Sequence, residues 1–96
     1  MQDQIPQKRL NIVVSGRVQG VGYRYFARDA ARSFNITGRV KNCDNGNVEV
    51  EAQGKSEILD SFCAELKRGP QGGYVEKLDV RELPMKDGEN GFKIMH

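Results

Sequence analysis

Residues that usually carry acid–base, redox or metal chemistry are scarce in this chain of 96 residues. It contains no tryptophan, one histidine, His96, and two cysteines, Cys43 and Cys63. A chain end tends to fray, which disfavours His96 as a general base or metal ligand. The cysteines stand in unlike contexts without partners at metal-ligand spacing, which favours reduced structural thiols. We therefore expect neither a metal ion nor a cofactor.

Long apolar segments are also absent. No apolar run is longer than three residues, as in Ile12 to Val14, and residues 1–8 are mainly polar with one proline. We therefore expect no membrane span and no signal peptide, and a cytoplasmic protein. The length fits a single domain, which we place at residues 8–96, after a flexible N-terminal tail of residues 1–7.

Positive charge is concentrated in the first part of the chain. Residues 8–41 hold eight Lys or Arg and one acidic residue, whereas residues 42–96 hold seven Lys or Arg and eleven acidic residues. Such a split can indicate a nucleic-acid surface, a pocket for a small anion, or only solvated helix and strand faces. Charge alone leaves the partner open.

Alternation of apolar and polar residues predicts several short strands. The clear runs are Leu10 to Ser15, Ile36 to Asn42 and Asn47 to Gln53, with further strands expected near 74–83 and 91–95. Between the second and third runs, an Asn-Gly pair at positions 45 and 46 is typical of a tight hairpin, because both residues tolerate positive φ. In that hairpin the basic residues of one strand should pair with acidic residues of the other: Arg39 and Lys41 with Glu49 and Glu51.

Two helical patterns separate these strands. Apolar residues from Tyr23 to Phe34 share one helical face, and Asn35 can end this helix in the left-handed conformation. Ser56 is expected to cap a second helix that ends at Gly69. The order β-α-β-β-α-β plus a short C-terminal strand predicts an α+β, ferredoxin-like sandwich, an antiparallel sheet with two helices on one face.

The segment GRVQGVGYR, Gly16 to Arg24, joins the first strand to the first helix. Residues 18–22 contain no Ser, Thr, Asp or Asn to satisfy the opening N–H groups of the helix. Two glycines let the backbone fold back, so these donors can converge on an oxyanion at the positive end of the helix dipole. The predicted cradle consists of the backbone N–H groups of Gln19, Gly20, Val21, Gly22, Tyr23 and Arg24. Its spacing matches neither dinucleotide-binding folds nor nucleotide-hydrolysing P-loops.

Two side chains are expected beside this loop. In the first helical turn, Arg24 can offer a planar pair of donors to two phosphate oxygens, whereas Arg28 and Arg32 lie farther away and are better explained as a solvated basic stripe. The first two strands run parallel, so Asn42, at the end of the second, should lie next to the loop. Because Asn42 shares strand parity with Val40, its amide should point toward the loop.

The loop resembles the first signature of the acylphosphatase family. Gly38-Arg39-Val40-Lys41-Asn42, followed by Gly46, Val48 and Gly54, resembles the second signature. The similarity runs over about residues 8 to 95, so that the predicted domain of residues 8–96 is acylphosphatase-like. The resemblance implies metal-free hydrolysis of an acyl phosphate to a carboxylate and inorganic phosphate.

Residue roles follow from the same resemblance. Arg24 matches the phosphate-binding arginine, the backbone of residues 19–24 matches the phosphate cradle, and Asn42 matches the asparagine that orients the attacking water. Arg39 departs from the family, which usually has an aromatic residue there; its strand parity turns it away from the site. Met95-His96 departs from the arginine or tyrosine that ends some relatives, so no role is carried over to these residues.

The predicted site holds donors, an arginine and an amide, but no acid–base pair. A phosphomonoester expels an alkoxide and normally needs a general acid or a metal ion. An acyl phosphate expels a carboxylate whose conjugate acid has a pKa of about 4, so it leaves unaided. The missing acid selects acyl phosphates as the substrate class, with inorganic phosphate as product and competitive ligand.

Two other functions remain open from the sequence. One is hydrolysis of carbamoyl phosphate, by a relative of the acylphosphatase-like domain of hydrogenase-maturation carbamoyltransferases. The other is a ferredoxin-like RNA-binding module, disfavoured because Leu10 to Ser15 and Asn47 to Gln53 contain no aromatic residue for base stacking. We expect a monomer that binds neither nucleic acid nor membranes.

Overall fold

The computed structural model describes residues 6–96. Within them the order of elements is β1 (Gln7–Arg17), α1 (Tyr23–Ser33), β2 (Thr37–Asn42), β3 (Val48–Lys55), α2 (Ser56–Arg68), β4 (Tyr74–Leu83) and β5 (Phe92–Ile94). The predicted β-α-β-β-α-β order with a short final strand is confirmed. Of the tail predicted for residues 1–7, residues 1–5 lie outside the described part of the chain, and Gln7 already belongs to β1.

The strands form one sheet in the order β4-β1-β3-β2-β5. Three of the pairings are antiparallel, as expected, but β5 runs parallel to β2. The sheet is therefore mixed, and the prediction of an antiparallel sheet is wrong at this edge. The physical reason is the long connection of residues 84–91, which carries the chain from β4 to the opposite edge of the sheet and lets β5 enter in the direction of β2.

Both helices cover one face of the sheet, as predicted. Alternate residues of the strands point to this face, since β1 buries Leu10, Ile12 and Val14 there. The two helices contribute residues with helical spacing to the same core: Tyr23, Ala27 and Ala31 from α1, and Leu59, Phe62 and Leu66 from α2. The α+β, ferredoxin-like sandwich is confirmed.

The sequence correctly predicted where the two helices end, but the cap predicted at the start of α2 is wrong. Asn35 has φ 57°, the left-handed conformation predicted for it, and α2 ends at Gly69, as predicted. Ser56, predicted as a cap, is the first residue of α2; the capping position is held by Lys55 without a side-chain hydrogen bond. The backbone N–H of Ser56 donates to the carbonyl of Pro6, at 2.9 Å, so the residue just before β1 satisfies this N–H group at the start of α2.

The hairpin between β2 and β3 also differs in detail. Its cross-strand pairs are those predicted, with Arg39 opposite Glu51 and Lys41 opposite Glu49. In the turn, however, Gly46 has positive φ and Asn45 does not. The Oδ1 atom of Asn45 accepts a hydrogen bond from the N–H of Asn47 at 3.1 Å, which stabilises the turn locally in place of a left-handed asparagine.

The face of the sheet opposite the helices carries a buried ion cluster. Arg9 is only 2% exposed and donates to Glu51 at 2.8 Å and to Glu89 at 2.9 Å. Glu89 lies in the connection of residues 84–91, and the N–H of Lys86 in the same connection donates to Gln53 at 3.0 Å. These bonds hold the connection against the sheet.

Two further expectations concern the thiols and the membrane. Cys43 and Cys63 are both free and partly buried. Burial raises the pKa of Cys63, which keeps this thiol protonated and unreactive, in agreement with the prediction of a structural thiol. Among residues 6–96 the helices are too short and too polar to cross a bilayer.

Candidate active site

The carboxyl ends of three strands lie along the same edge of the sheet, the edge that runs across the strands. β1 and β2 both pair antiparallel with β3, and Val14 and Asn42 flank the same residue of it, Val48. β5 is parallel to β2, so its carboxyl end, just before Met95, also lies at this edge. The topology thus brings together the loop after β1, the last residue of β2 and the chain after β5.

A cavity of about 120 Å³ opens between these segments. It is lined by Val18, Gly20, Gly22, Tyr23, Arg24, Tyr25 and Asn42. The predicted meeting of the glycine loop, Arg24 and Asn42 is therefore present in the structure. Larger depressions of about 600 and 390 Å³ lie beside residues 85–89, but neither is lined by Gly20, Gly22, Arg24 or Asn42.

The loop presents unpaired backbone donors to the cavity. Gly22 is the capping position of α1, with φ 78° and ψ 22°, and no side chain caps the helix. Gly20 has φ 77°, another left-handed conformation that favours glycine. Within residues 6–96 the backbone N–H groups from Gln19 to Arg24 have no hydrogen-bond acceptor. These donors and the helix dipole make the cavity a site for an anion.

The predicted cradle residues do not all reach the cavity. Gly20, Gly22, Tyr23 and Arg24 line it, but Gln19 and Val21 do not. Val21 is partly buried and packs against the core. The Gln19 side chain turns toward the β2–β3 hairpin and donates from Nε2 to the carbonyls of Cys43, at 2.7 Å, and Asn47, at 2.8 Å. These side-chain contacts were not predicted from the sequence, which indicated a role only for the backbone of Gln19.

Core contacts fix the loop on both sides. Val18 and Tyr23 are each 1% exposed and belong to the main core. The Tyr23 hydroxyl donates to the carbonyl of Leu66 at 2.7 Å, near the C-terminus of α2. Burial raises the pKa of Tyr23, so this hydroxyl stays protonated and keeps its donor role. The cradle is thus tied to both helices.

The chain after β5 holds the guanidinium of Arg24. Its Nη1 atom donates to the carbonyl of Met95 at 2.9 Å and lies 3.5 Å from Nδ1 of His96. The N–H of Met95 is itself bonded to the carbonyl of Val40, at 2.8 Å, which anchors the support to β2. Sequence reasoning assigned no role to residues 95 and 96; recognition that β5 is parallel to β2 would have placed them here.

Other arginines lie outside the cavity, as expected. Arg28 bonds Asp29 and lies over the Tyr25 ring, with 5.1 Å between its Cζ atom and the ring centroid. Arg32 reaches the carbonyl of Phe92 at 3.4 Å. Arg39 is exposed on the other face of the sheet, 3.6 Å from Glu51, so its departure from the family pattern does not alter the cavity.

Several known proteins described as acylphosphatases are similar to this chain. The family model described as Acylphosphatase matches residues 10–94. An acylphosphatase of Clostridium acetobutylicum is 45% identical over 93% of this chain and 98% of its own length. The crystal structure of acylphosphatase from Bacillus subtilis superimposes with a TM-score of 0.88, at 39% identity, over 92% of this chain and 98% of that chain.

A longer protein contains a similar domain. The structure of full-length HypF in the phosphate- and nucleotide-bound form has a TM-score of 0.84 and 28% identity over 95% of this chain, but over only 12% of the HypF chain. The stand-alone relatives, by contrast, are matched over nearly their whole length. From its full-length similarity to these relatives and its match to the family model, this chain belongs to the acylphosphatase family.

Proposed function

We propose that this chain hydrolyses acyl phosphates to a carboxylate and inorganic phosphate without a metal ion, through the residues of the cavity. Acyl phosphate hydrolysis as such follows from the family. The assignment of roles is ours: the backbone N–H groups of the cavity-lining loop residues Gly20, Gly22, Tyr23 and Arg24, together with the Arg24 guanidinium, bind the phosphoryl group, and Asn42 orients the attacking water.

The observation that carries this proposal is the chemistry of the cavity lining. Unpaired N–H groups, one guanidinium and one side-chain amide converge there, while Asp, Glu, His and Cys are absent from its described lining. A site of this kind can bind a dianion and stabilise charge on its oxygens, but its described lining has no carboxyl, imidazole or thiol group to protonate a poor leaving group. It fits a substrate whose leaving group departs as a stable carboxylate.

The reaction can proceed with the groups present. The water oxygen forms a bond to phosphorus as the bond between phosphorus and the acyl oxygen breaks, and the electron pair of that bond leaves with the carboxylate. The proton of the water passes to a phosphoryl oxygen of the substrate, so that no protein base is required. The protein contributes position and electrostatic stabilisation, which are the main terms in phosphoryl transfer.

The contacts of Arg24 support its role as the phosphate clamp. Nη1 contacts Met95 and His96, which supports the guanidinium beside the cavity and leaves Nη2 and Nε, within the described residues, without partners and available to two phosphate oxygens. Arg24→Ala should remove both turnover and measurable competition by inorganic phosphate. Turnover of acetyl, benzoyl and carbamoyl phosphate, measured with EDTA present, reports the first; inhibition by phosphate reports the second.

Arg32→Ala is the matched control for this experiment. Arg32 lies two turns farther along α1 and also donates to a carbonyl of the β5 segment, but it does not line the cavity. We expect this variant to keep wild-type turnover and phosphate inhibition. Retained phosphate inhibition in Arg24→Ala, or an equal loss in both variants, would exclude Arg24 as the clamp.

Asn42 is the second test of the proposal. Asn42 lines the cavity, and within residues 6–96 its side-chain amide has no hydrogen-bond partner, so the amide is available to a water molecule. Asn42→Ala should lower kcat by about 10²-fold or more, the usual loss when one preorganised polar group is removed, with inhibition by phosphate largely kept. Wild-type turnover in this variant would exclude the water-orienting role.

The comparisons favour an acyl phosphate over carbamoyl phosphate as the preferred substrate. The chain matches stand-alone acylphosphatases over 98% of their length but spans only 12% of HypF. We therefore propose that acetyl and benzoyl phosphate are turned over more efficiently than carbamoyl phosphate. The same assay in EDTA measures this order, and inactivity toward all three would overturn the proposed function.

A further inference from the structure

The Gln19 side chain connects the phosphate cradle to the hairpin that carries Asn42. Its Nε2 group donates to two backbone carbonyls, Cys43 O at 2.7 Å and Asn47 O at 2.8 Å. Both partners are acceptors only, so the end of the amide between them must be the NH₂ group. The orientation of the Gln19 amide is thereby determined by its surroundings.

The two carbonyls belong to the narrow neck of the hairpin. Cys43 follows Asn42 directly, and its N–H donates to the carbonyl of Asn47 at 2.8 Å. Asn47 precedes Val48, the cross-strand partner of Asn42. Gln19, in the loop that forms the cradle, therefore bonds to both strands of the hairpin. Cys43 is the neighbour of Asn42 on one strand, and Asn47 is the neighbour of Val48 on the other.

The position of Asn42 depends on this neck. Asn42 is the last residue of β2 and is exposed, and its side chain has no hydrogen-bond partner among the described residues. Its direction is consequently set by the backbone on which it stands. A hairpin neck that shifts relative to the loop would move the amide relative to a phosphoryl group bound in the cradle.

The cradle itself has other supports. Val18 and Tyr23 are buried on its two sides, and the Tyr23 hydroxyl bonds the carbonyl of Leu66. Loss of the Gln19 amide should therefore leave the cradle in place while it frees the hairpin neck. Gln19 also does not line the cavity, so its side chain has no place to contact the substrate.

We infer that the Gln19 side chain is a positioning residue that sets the location of Asn42 relative to the phosphate cradle. This inference rests on the proposed role of Asn42. Gln19 acts on turnover through Asn42 and, since it lies outside the cavity lining, does not itself bind the phosphate.

The test replaces the amide while it keeps the length of the side chain. Gln19→Met lacks any donor, and Gln19→Glu keeps the shape but offers oxygen atoms to two carbonyl oxygens; the second variant carries the test if the first does not fold. In both, we expect kcat to fall about tenfold or more, since a misplacement of about 1 Å can cost 10²-fold. The inhibition constant of inorganic phosphate should stay within about twofold of wild type, because the cradle is unchanged.

Gln53→Met is the matched control. Gln53 also ties a connecting segment to the sheet through two hydrogen bonds to backbone groups, both of Lys86, but on the face away from the cavity. Urea unfolding should show that both Met variants lose stability, while only Gln19→Met loses kcat. Equal turnover of these two variants would overturn the inference.

A double variant separates this inference from the proposed function. If Gln19 acts through Asn42, then Gln19→Met combined with Asn42→Ala should be no slower than Asn42→Ala alone. Losses that multiply, or a phosphate inhibition constant that rises as kcat falls, would refute the positioning role and leave the role of Asn42 intact. Wild-type turnover of Asn42→Ala alone would instead refute the proposed function and this inference with it.

Discussion

Substitution of Gly22 by alanine tests whether activity depends on the left-handed backbone at this position, apart from the stability of the whole protein. Gly22 has φ +78°, and a Cβ atom built there has no other heavy atom within 4 Å. A clash is thus absent, and the cost is backbone strain of roughly 1–2 kcal/mol for alanine in the left-handed region. The lower entropy of the unfolded chain returns about 0.4–1 kcal/mol. We expect a net loss of roughly 1 kcal/mol, or a Tm lower by about 4–8 °C.

Gly88→Ala provides the same perturbation elsewhere. Gly88 has φ +77° and an equally open surrounding, but it lies in the connection of residues 84–91, away from the cavity. Both variants should therefore lose similar stability in thermal unfolding. An alanine at position 22 relieves its strain by rotating the peptide units whose N–H groups form the cradle. Only Gly22→Ala should therefore also lose kcat/KM and phosphate inhibition, by at least about tenfold.

Two outcomes would refute this reasoning. If Gly22→Ala keeps wild-type kcat/KM and phosphate inhibition while its Tm falls as calculated, the left-handed conformation at Gly22 matters for stability alone. If Gly88→Ala loses activity to the same extent, the loss reflects general destabilisation. Steady-state kinetics at a temperature where circular dichroism shows both variants folded distinguishes these cases.

Two further predictions concern the groups that support the site and the sheet. Tyr23→Phe removes the buried donor to the carbonyl of Leu66 and should cost roughly 1–3 kcal/mol in urea unfolding; an unchanged midpoint would show that this carbonyl is satisfied otherwise. Hydrogen bonds from Arg9 lower the pKa of Glu89 and Glu51, so their stabilising contribution is present above the unfolded value of about 4.3 and is lost as pH falls through the lowered folded values. Glu89→Gln should therefore lower the free energy of unfolding at pH 7 and flatten its decline between about pH 5 and pH 2; pH curves parallel to those of wild type would contradict this sign.

The main features of the site could be predicted because each depends on local rules or on topology. The uncapped start of α1 follows from residue types alone, and the left-handed glycines follow from the need to reverse the backbone there. The proximity of Asn42 to the loop follows from two parallel strands with a common neighbour. Strand parity then directs its side chain to the helix-covered face.

The features that sequence reasoning missed depend on contacts between distant segments. The bond from Gln19 spans 24 residues to Cys43, and the bond from Arg24 spans 71 residues to Met95. Neither follows from periodicity or from a capping rule, since the partners are backbone carbonyls that every residue carries. The burial of Arg9 was likewise hidden, because a connection without regular structure supplies Glu89 as its partner.

The direction of β5 accounts for the support of Arg24. β2 has six residues, so an edge strand of opposite direction would place its carboxyl end nearer to Thr37, about 17 Å from Asn42 at roughly 3.3 Å per residue. The parallel arrangement instead places Met95 beside Val40 and within 2.9 Å of the guanidinium of Arg24. A parallel edge strand requires the chain to cross the sheet first, and residues 84–91 make this crossing. The direction of β5, rather than any single contact of the crossing, therefore determines where Met95 meets Arg24.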